Sequence, residues 1–205
     1  MDISSQSVLD TKADDKAKRK SCGIENLILC DILDRILLLD NIETSTIINE
    51  RDELNAIYQA ASTLISEINH SSLSDIKLFM KLVHDSLVKC NSTIKPVLLR
   101  VIRILLVNPQ NCDILVQSEI HWIVVTSVEK ENDFVLERMQ AFKIVKTFLK
   151  VSPLTFPITF ANSMVAIASA QDDSLRRVCL EAIRELSIVN TEIATISKGI
   201  NCMLE

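Results

Sequence analysis

Two successive helical hairpins, with matching buried faces and matching end signals, fill the stretch from Asn132 to Asn190. This repetition constrains the fold more than any other feature. In FVLERMQAFKIVKTFLK, the residues Ala141, Ile144, Val145, Phe148 and Leu149 fall at i, i+3, i+4, i+7 and i+8, the stripe a helix turns toward a core. Lys143, Lys146 and Lys150 take the other side. In SLRRVCLEAIRELSIVN the same spacing selects Leu175, Val178, Cys179, Ala182, Ile183 and Leu186, with Arg177 and Glu181 at i, i+4 on the wet face. Pro153 and Pro157 break the chain between the two. A third copy lies upstream in Ile94, Val97, Leu98, Val101, Ile104 and Leu105, and Asn108-Pro109 stops it as Ser152-Pro153 stops the next. From Asn108 to Ser152 is 44 residues, and from Ser152 to Asn190 is 38. Periods of roughly 40 to 47 residues built from two or three helices are those of armadillo and HEAT arrays.

Composition supports an all-α chain. Only two glycines are present among 205 residues, too few for the tight turns of a sheet protein or the phosphate loops of a nucleotide-binding α/β enzyme. Hydrophobic residues make up 48% and aromatics 4%, so the core is built from interdigitating Leu, Ile and Val. The expected fold is an all-α, right-handed α-solenoid of armadillo/HEAT-like repeats, truncated at the C-terminus. Residues 1–21 are expected to be a disordered tail, and 22–205 the repeat domain with an incomplete last repeat. The tail carries Lys16, Lys18, Arg19 and Lys20, readable as an import or acidic-lipid patch, or as a solvated tail balanced by Asp14 and Asp15.

Within the domain, helices are expected from Ile24 to Leu39 and from Asn49 to Ile68. Residues 113–129 are apolar on more than one face and predict one helix covered by neighbours on both sides, Trp122 included. Leu154 to Ser169 supplies the returning partner of the central helix, Asp172-Asp173-Ser174 caps the next, and Glu192 to Leu204 starts another.

Chemistry is sought and not found. No Gly-rich phosphate loop occurs, and His70, His84 and His121 lack metal-ligand spacing with one another or with cysteine. The six cysteines include no Cys-x-x-Cys pair, which favours a reducing compartment. No apolar run approaches the roughly 18 residues of a membrane span, and a net charge of −5 argues against nucleic-acid binding by the whole surface. These features predict a cytoplasmic, non-enzymatic chain without catalytic residues, metal or cofactor.

What remains is surface. Arg100 and Arg103, then Lys143, Lys146 and Lys150, then Arg176, Arg177 and Arg184 recur one repeat apart, as a basic ladder that suits an acidic protein partner. Ordinary solvated helix faces with local ion pairs are the competing explanation.

The segment from Ile114 to Leu204 resembles the N-terminal armadillo-like region of the Rictor (Pianissimo) family. The resemblance is carried by HWIVVTSVE, LERMQAFKIVKTFLKVSPLTFPITFANSMVAIAS and LRRVCLEAIRELSIVNTEIATISKGINCMLE. Within them it rests on Glu137-Arg138-x-Gln140-Ala141, Phe156-Pro157, Asn162-Ser163, Glu185-Leu186, Asn190-x-Glu192 and Gly199. Residues 24–113 are similar in pattern only, and 1–21 do not match. The resemblance implies a non-catalytic subunit that helps assemble target-of-rapamycin complex 2, meets the TOR kinase and a Sin1-like subunit, and supports signalling to AGC kinases. The alternative is an independent armadillo-type adaptor in transport or cytoskeletal regulation, and a third possibility is an enzyme with an unrecognised site.

Overall fold

The computed structural model describes residues 73–90 and 94–204. The expected tail and the helices expected at 24–39 and 49–68 lie outside the described residues. Within them the chain forms α1 (Leu73–Lys89), α2 (Lys95–Leu105), α3 (Pro109–Gln117), α4 (Ile120–Val128), α5 (Val135–Val151), a 3-10 turn (Pro153–Thr155), α6 (Ile158–Ser169), α7 (Arg176–Val189), α8 (Thr191–Ile196) and α9 (Gly199–Cys202). No strand occurs among the described residues. Packing runs along the chain: α5 lies against α2 and α4, α6 against α4 and α7, and α8 and α9 close over α6 and α7. The fold is an all-α repeat solenoid, in which each unit buries its apolar face on its neighbours.

The repeat boundaries anticipated at Asn108, Ser152 and Asn190 are real, and each has a physical mechanism. Asn108 caps α3 by accepting the Asn111 N–H at 3.0 Å, with Pro109 in the first turn where its missing N–H is harmless. Ser152 closes onto Thr155 through a 2.7 Å hydroxyl contact around Pro153. Asn190 accepts the Ile193 N–H at 3.2 Å, while its side-chain amide donates to the Pro153 carbonyl at 2.9 Å. One boundary residue thereby fastens the next repeat to the turn that opened the previous one.

The core follows the expected stripes. Phe148 is fully buried, and its ring meets Phe156 and Phe160 edge-on with centroids 5.9 and 5.8 Å apart. Phe156 and Phe160 are themselves 5.7 Å apart. Three of the few aromatics in the chain thus close one cluster where α5, the 3-10 turn and α6 meet, the offset geometry that aromatic quadrupoles favour.

Two expected helices are corrected. The single helix expected over 113–129 is α3 and α4, separated at Ser118 and Glu119, where Glu119 takes a left-handed conformation with φ of 60°. The segment expected from Glu192 to Leu204 is likewise α8 and α9, broken at Lys198 with φ of 62°. A non-glycine residue in this region costs of order 1–2 kcal/mol, and the burial gained by turning the corner of a repeat offsets it. The apolar residues on several faces belong to two helices with different axes. Trp122, expected to be covered, is 53% exposed.

Gly199 sits where a side chain would not fit. An added Cβ would stand 2.9 Å from Ile183 Cγ2 and 3.3 Å from the Ala194 carbonyl oxygen, so the closeness of α9 to α7 and α8 depends on its absence.

Candidate protein-binding surface

The long helix α5 is fixed at its N-terminal end by two buried charges. Carried back one turn, the stripe through Ala141, Ile144, Val145 and Phe148 lands on Glu137 and Arg138, and both are 2% exposed. Glu137 accepts the Ser127 hydroxyl at 2.8 Å and the Lys130 ammonium at 2.7 Å. Arg138 gives its Nε proton to the Val128 carbonyl at 2.9 Å, reaches Asn132 Oδ1, and grips Asp173 through both carboxylate oxygens. Asp173 Oδ1 also accepts the Leu175 N–H at 2.8 Å, closing a turn before α7; the side-chain cap expected from Asp172-Asp173-Ser174 is not formed, because the N-cap is Leu175, which has no side-chain cap hydrogen bond. Every charge here has a partner, the condition under which buried ions are tolerated. The network sets the loops before α5 and α7, and is structural.

The basic ladder is laid out unevenly. Arg100 and Arg103 are half-buried on α2, and each is engaged in further interactions. On α5, Lys143 and Lys146 are half-buried and Lys150 is exposed; Lys146 reaches Glu185 of α7 at 3.7 Å, which brings the α5 and α7 rows together. Arg177 pairs with Glu181 at 3.4 Å on the open surface, the i, i+4 contact expected, and Arg184 is exposed one turn beyond Glu181. Arg176 departs from the row, because its Nε donates to the Ala168 carbonyl at 3.0 Å and closes the C-terminal end of α6. Among the described residues no carboxylate lies within ion-pair distance of Lys143, Lys150 or Arg184.

The α5 surface also has an apolar part that sequence reasoning missed. Phe134, Val135, Leu136 and Met139 are all exposed, Leu136 by 70%, and the Lys130 ammonium sits 4.6 Å from the Phe134 ring centroid. The signal was present. Leu136 and Met139 lie on the same side of the helix as Lys143, opposite the buried stripe, so they cannot join the core.

Among the described residues, burial acts on two thiols and one imidazole. Burial pushes the Cys112 and Cys179 thiols up to about 12, away from the nucleophilic thiolate. Burial likewise holds the His121 imidazole below its ordinary value, against the opposing pull of Glu119. His84 Nδ1 is 3.3 Å from Asp85, and His70 lies outside the described residues. Among the described residues no three His, Cys, Asp or Glu side chains converge as a metal site, and no helix is long and apolar enough to cross a membrane.

Residues 48–205 match the family model described as "Rapamycin-insensitive companion of mTOR, N-term". The chain belongs to this family. The match begins well upstream of Ile114, where the resembling segment starts. Within the Rictor family, the chain is 30% identical over 163 residues to Protein pianissimo A of Dictyostelium discoideum, covering 80% of this chain and 14% of that protein. It is 30% identical over 148 residues to the Target of rapamycin complex 2 subunit TSC11 of Saccharomyces cerevisiae, covering 70% and 10%. Identity to the mouse Rapamycin-insensitive companion of mTOR is 24% over 110 residues, 52% of this chain and 6% of the other. The chain therefore spans between about a seventeenth and a seventh of the length of these relatives. The positions that carry the Rictor resemblance are mostly fold-holding: Glu137 and Arg138 form the buried network, Phe156 the aromatic cluster, Asn190 the repeat junction and Gly199 the close approach.

Proposed function

We propose that this chain is a non-catalytic scaffold segment of target-of-rapamycin complex 2, in contact with the TOR kinase and a Sin1-like subunit, and that it works in the cytoplasm in support of TOR signalling to AGC kinases. The family match across residues 48–205 carries this reading, and the yeast relative, a target of rapamycin complex 2 subunit by name, supplies the complex. The form of the molecule supports it. A solenoid presents long surfaces and few enclosed pockets, and its polar interior is spent on holding loops. Lys143, Lys146, Lys150 and Arg184, with Arg177 and the half-buried Arg100 and Arg103, are the proposed contact for an acidic partner surface. Arg176 is left out of it, being used on α6.

The test is co-purification of the tagged 205-residue chain with the TOR kinase and the Sin1-like subunit from cells of its own source. Recovery of both supports the reading. Recovery of neither, with transport or cytoskeletal cargo in their place, moves the chain to the independent adaptor class.

A further inference from the structure

We propose that the uncovered face of α5 is a seat for a single partner helix that is apolar along one half and acidic along the other. The proposal deepens the scaffold reading above, on whose basic row it rests, and it names what that row is for.

Three observations lead to it. The first is register. At 3.6 residues per turn, the residues of α5 that escape the core form one sector: Val135, Leu136, Met139, Gln140, Lys143, Lys146, Thr147 and Lys150. Along its middle, Leu136, Met139, Lys143, Lys146 and Lys150 are spaced by three, four, three and four. That alternation keeps a seam aligned with a second helix over about 21 Å, by the 1.5 Å rise per residue.

The second observation is segregation along the helix. The N-terminal half of the seam is apolar and adjoins Phe134, so four large apolar side chains stand together in solvent. Isolated exposed leucines are ordinary, whereas a contiguous group at one place is the mark of a contact surface. The C-terminal half is cationic.

The third is the charge itself. The sector contains no carboxylate; among the described residues Lys143 and Lys150 have none within ion-pair distance, and Lys146 has a 3.7 Å contact to the exposed Glu185. Lys150 in the last turn favours the helix dipole, but Lys143 and Lys146 lie too far from the end for that role. An acidic half-helix supplies what these lysines lack.

The same features disfavour other occupants. A second copy of α5 laid parallel sets lysine on lysine, and laid antiparallel sets each lysine row on the other's leucine and methionine. A membrane surface takes up helices with a broad apolar face along their whole length, and here half the seam is cationic.

The experiment uses the full 205-residue chain and a labelled helical probe of about 15 residues, which at a 1.5 Å rise per residue matches the roughly 21 Å length of the seam. The probe carries leucines in the seam positions of one half and glutamates in those of the other. A second probe of identical composition alternates the two residue types turn by turn. Fluorescence anisotropy is read at low and moderate salt, alongside sedimentation with vesicles of phosphatidylserine and phosphatidylcholine. The expected result is that the segregated probe binds at least about tenfold more tightly than the alternated one. Lys143→Glu, Lys146→Glu and Lys150→Glu together weaken it most at low salt, and Leu136→Asp weakens it at both salts. Leu136 and Lys150 are exposed and Lys143 and Lys146 half-buried, all outside the buried stripe of α5, so helical signal and melting stay near those of the parent chain; Lys→Gln and Leu136→Asn repeat the comparison with milder changes. Equal affinity for the two probes, no affinity for either, or lysine-dependent capture by the vesicles instead of the probe overturns the proposal. None of these depends on whether the unsubstituted chain recovers the TOR kinase, so failure of the scaffold reading is seen separately.

Discussion

Arg138 and Asp173 meet across 35 positions of sequence through two hydrogen bonds, 2.8 Å to Oδ1 and 2.6 Å to Oδ2, with the arginine side chain 2% exposed and the aspartate 17%. The pair locks the entry of α5 to the entry of α7, and so sets the angle between two repeats. Its strength lies in the cost of breaking it. Asp173→Ala leaves a buried guanidinium half-satisfied and is expected to destabilise by about 3 kcal/mol, toward the low end for broken buried pairs because the aspartate retains some solvent. Replacing both, as Arg138→Met with Asp173→Leu, is expected to cost clearly less than the sum of the single changes. Urea unfolding of the four proteins measures the coupling; strict additivity would mean that the pair acts as two separate residues.

The aromatic cluster gives a sharper contrast between neighbours in sequence. Phe148→Ala removes a ring held by Phe156 and Phe160 and is expected to cost about 3–5 kcal/mol, from lost transfer energy plus the cavity. Lys146→Ala, two residues away, gives up one exposed ion pair and should cost under about 0.5 kcal/mol. Comparable losses from both would place the core on the wrong side of α5.

Thiol chemistry should follow burial. Cys112 and Cys179, both pushed up to about 12, should resist iodoacetamide in the native chain near pH 8, while the partly exposed Cys202 reacts. Mass spectrometry of the labelled peptides reads the order. Early labelling of Cys179 would mean that α7 opens from the stack far more readily than its buried face suggests.

A pH dependence follows from His121. Its folded value is lowered, chiefly by burial, so the unfolded chain binds a proton in a range where the native chain does not. Its contribution is therefore complete above the unfolded value of about 6.5 and declines as pH falls below it. Carboxylates titrate in the same direction under acid, and the comparison that isolates the histidine is with His121→Gln. The melting temperature of the parent should drop more steeply from about pH 7.5 to 5.5 than that of the variant. Parallel curves would remove His121 as the cause.

The period of the array, the boundaries at Asn108, Ser152 and Asn190, and the buried face of α5 could all be read along the chain. Each depends on neighbours within one helix or one turn: helical spacing selects Ala141, Val145 and Phe148, and a proline after Asn108 or Ser152 ends a helix wherever it occurs. The basic ladder was legible in the same way, as positions on a face. Its use was not. That Arg176 turns back to the Ala168 carbonyl, that Lys146 meets Glu185, and that Glu137 and Arg138 are charges inside the core are facts about residues brought close by folding. The two corners at Glu119 and Lys198 belong with them, because a non-glycine residue takes a left-handed conformation only when burial on both sides outweighs the strain. Local periodicity therefore determined that the chain would be a stack of helices with a cationic row, while tertiary packing alone decided which charges were consumed by the stack and which, with Leu136 and Met139, were left facing outward. The physical reason is that helical spacing acts through bonds a few residues long, whereas the pairing of a charge depends on which other helix arrives beside it.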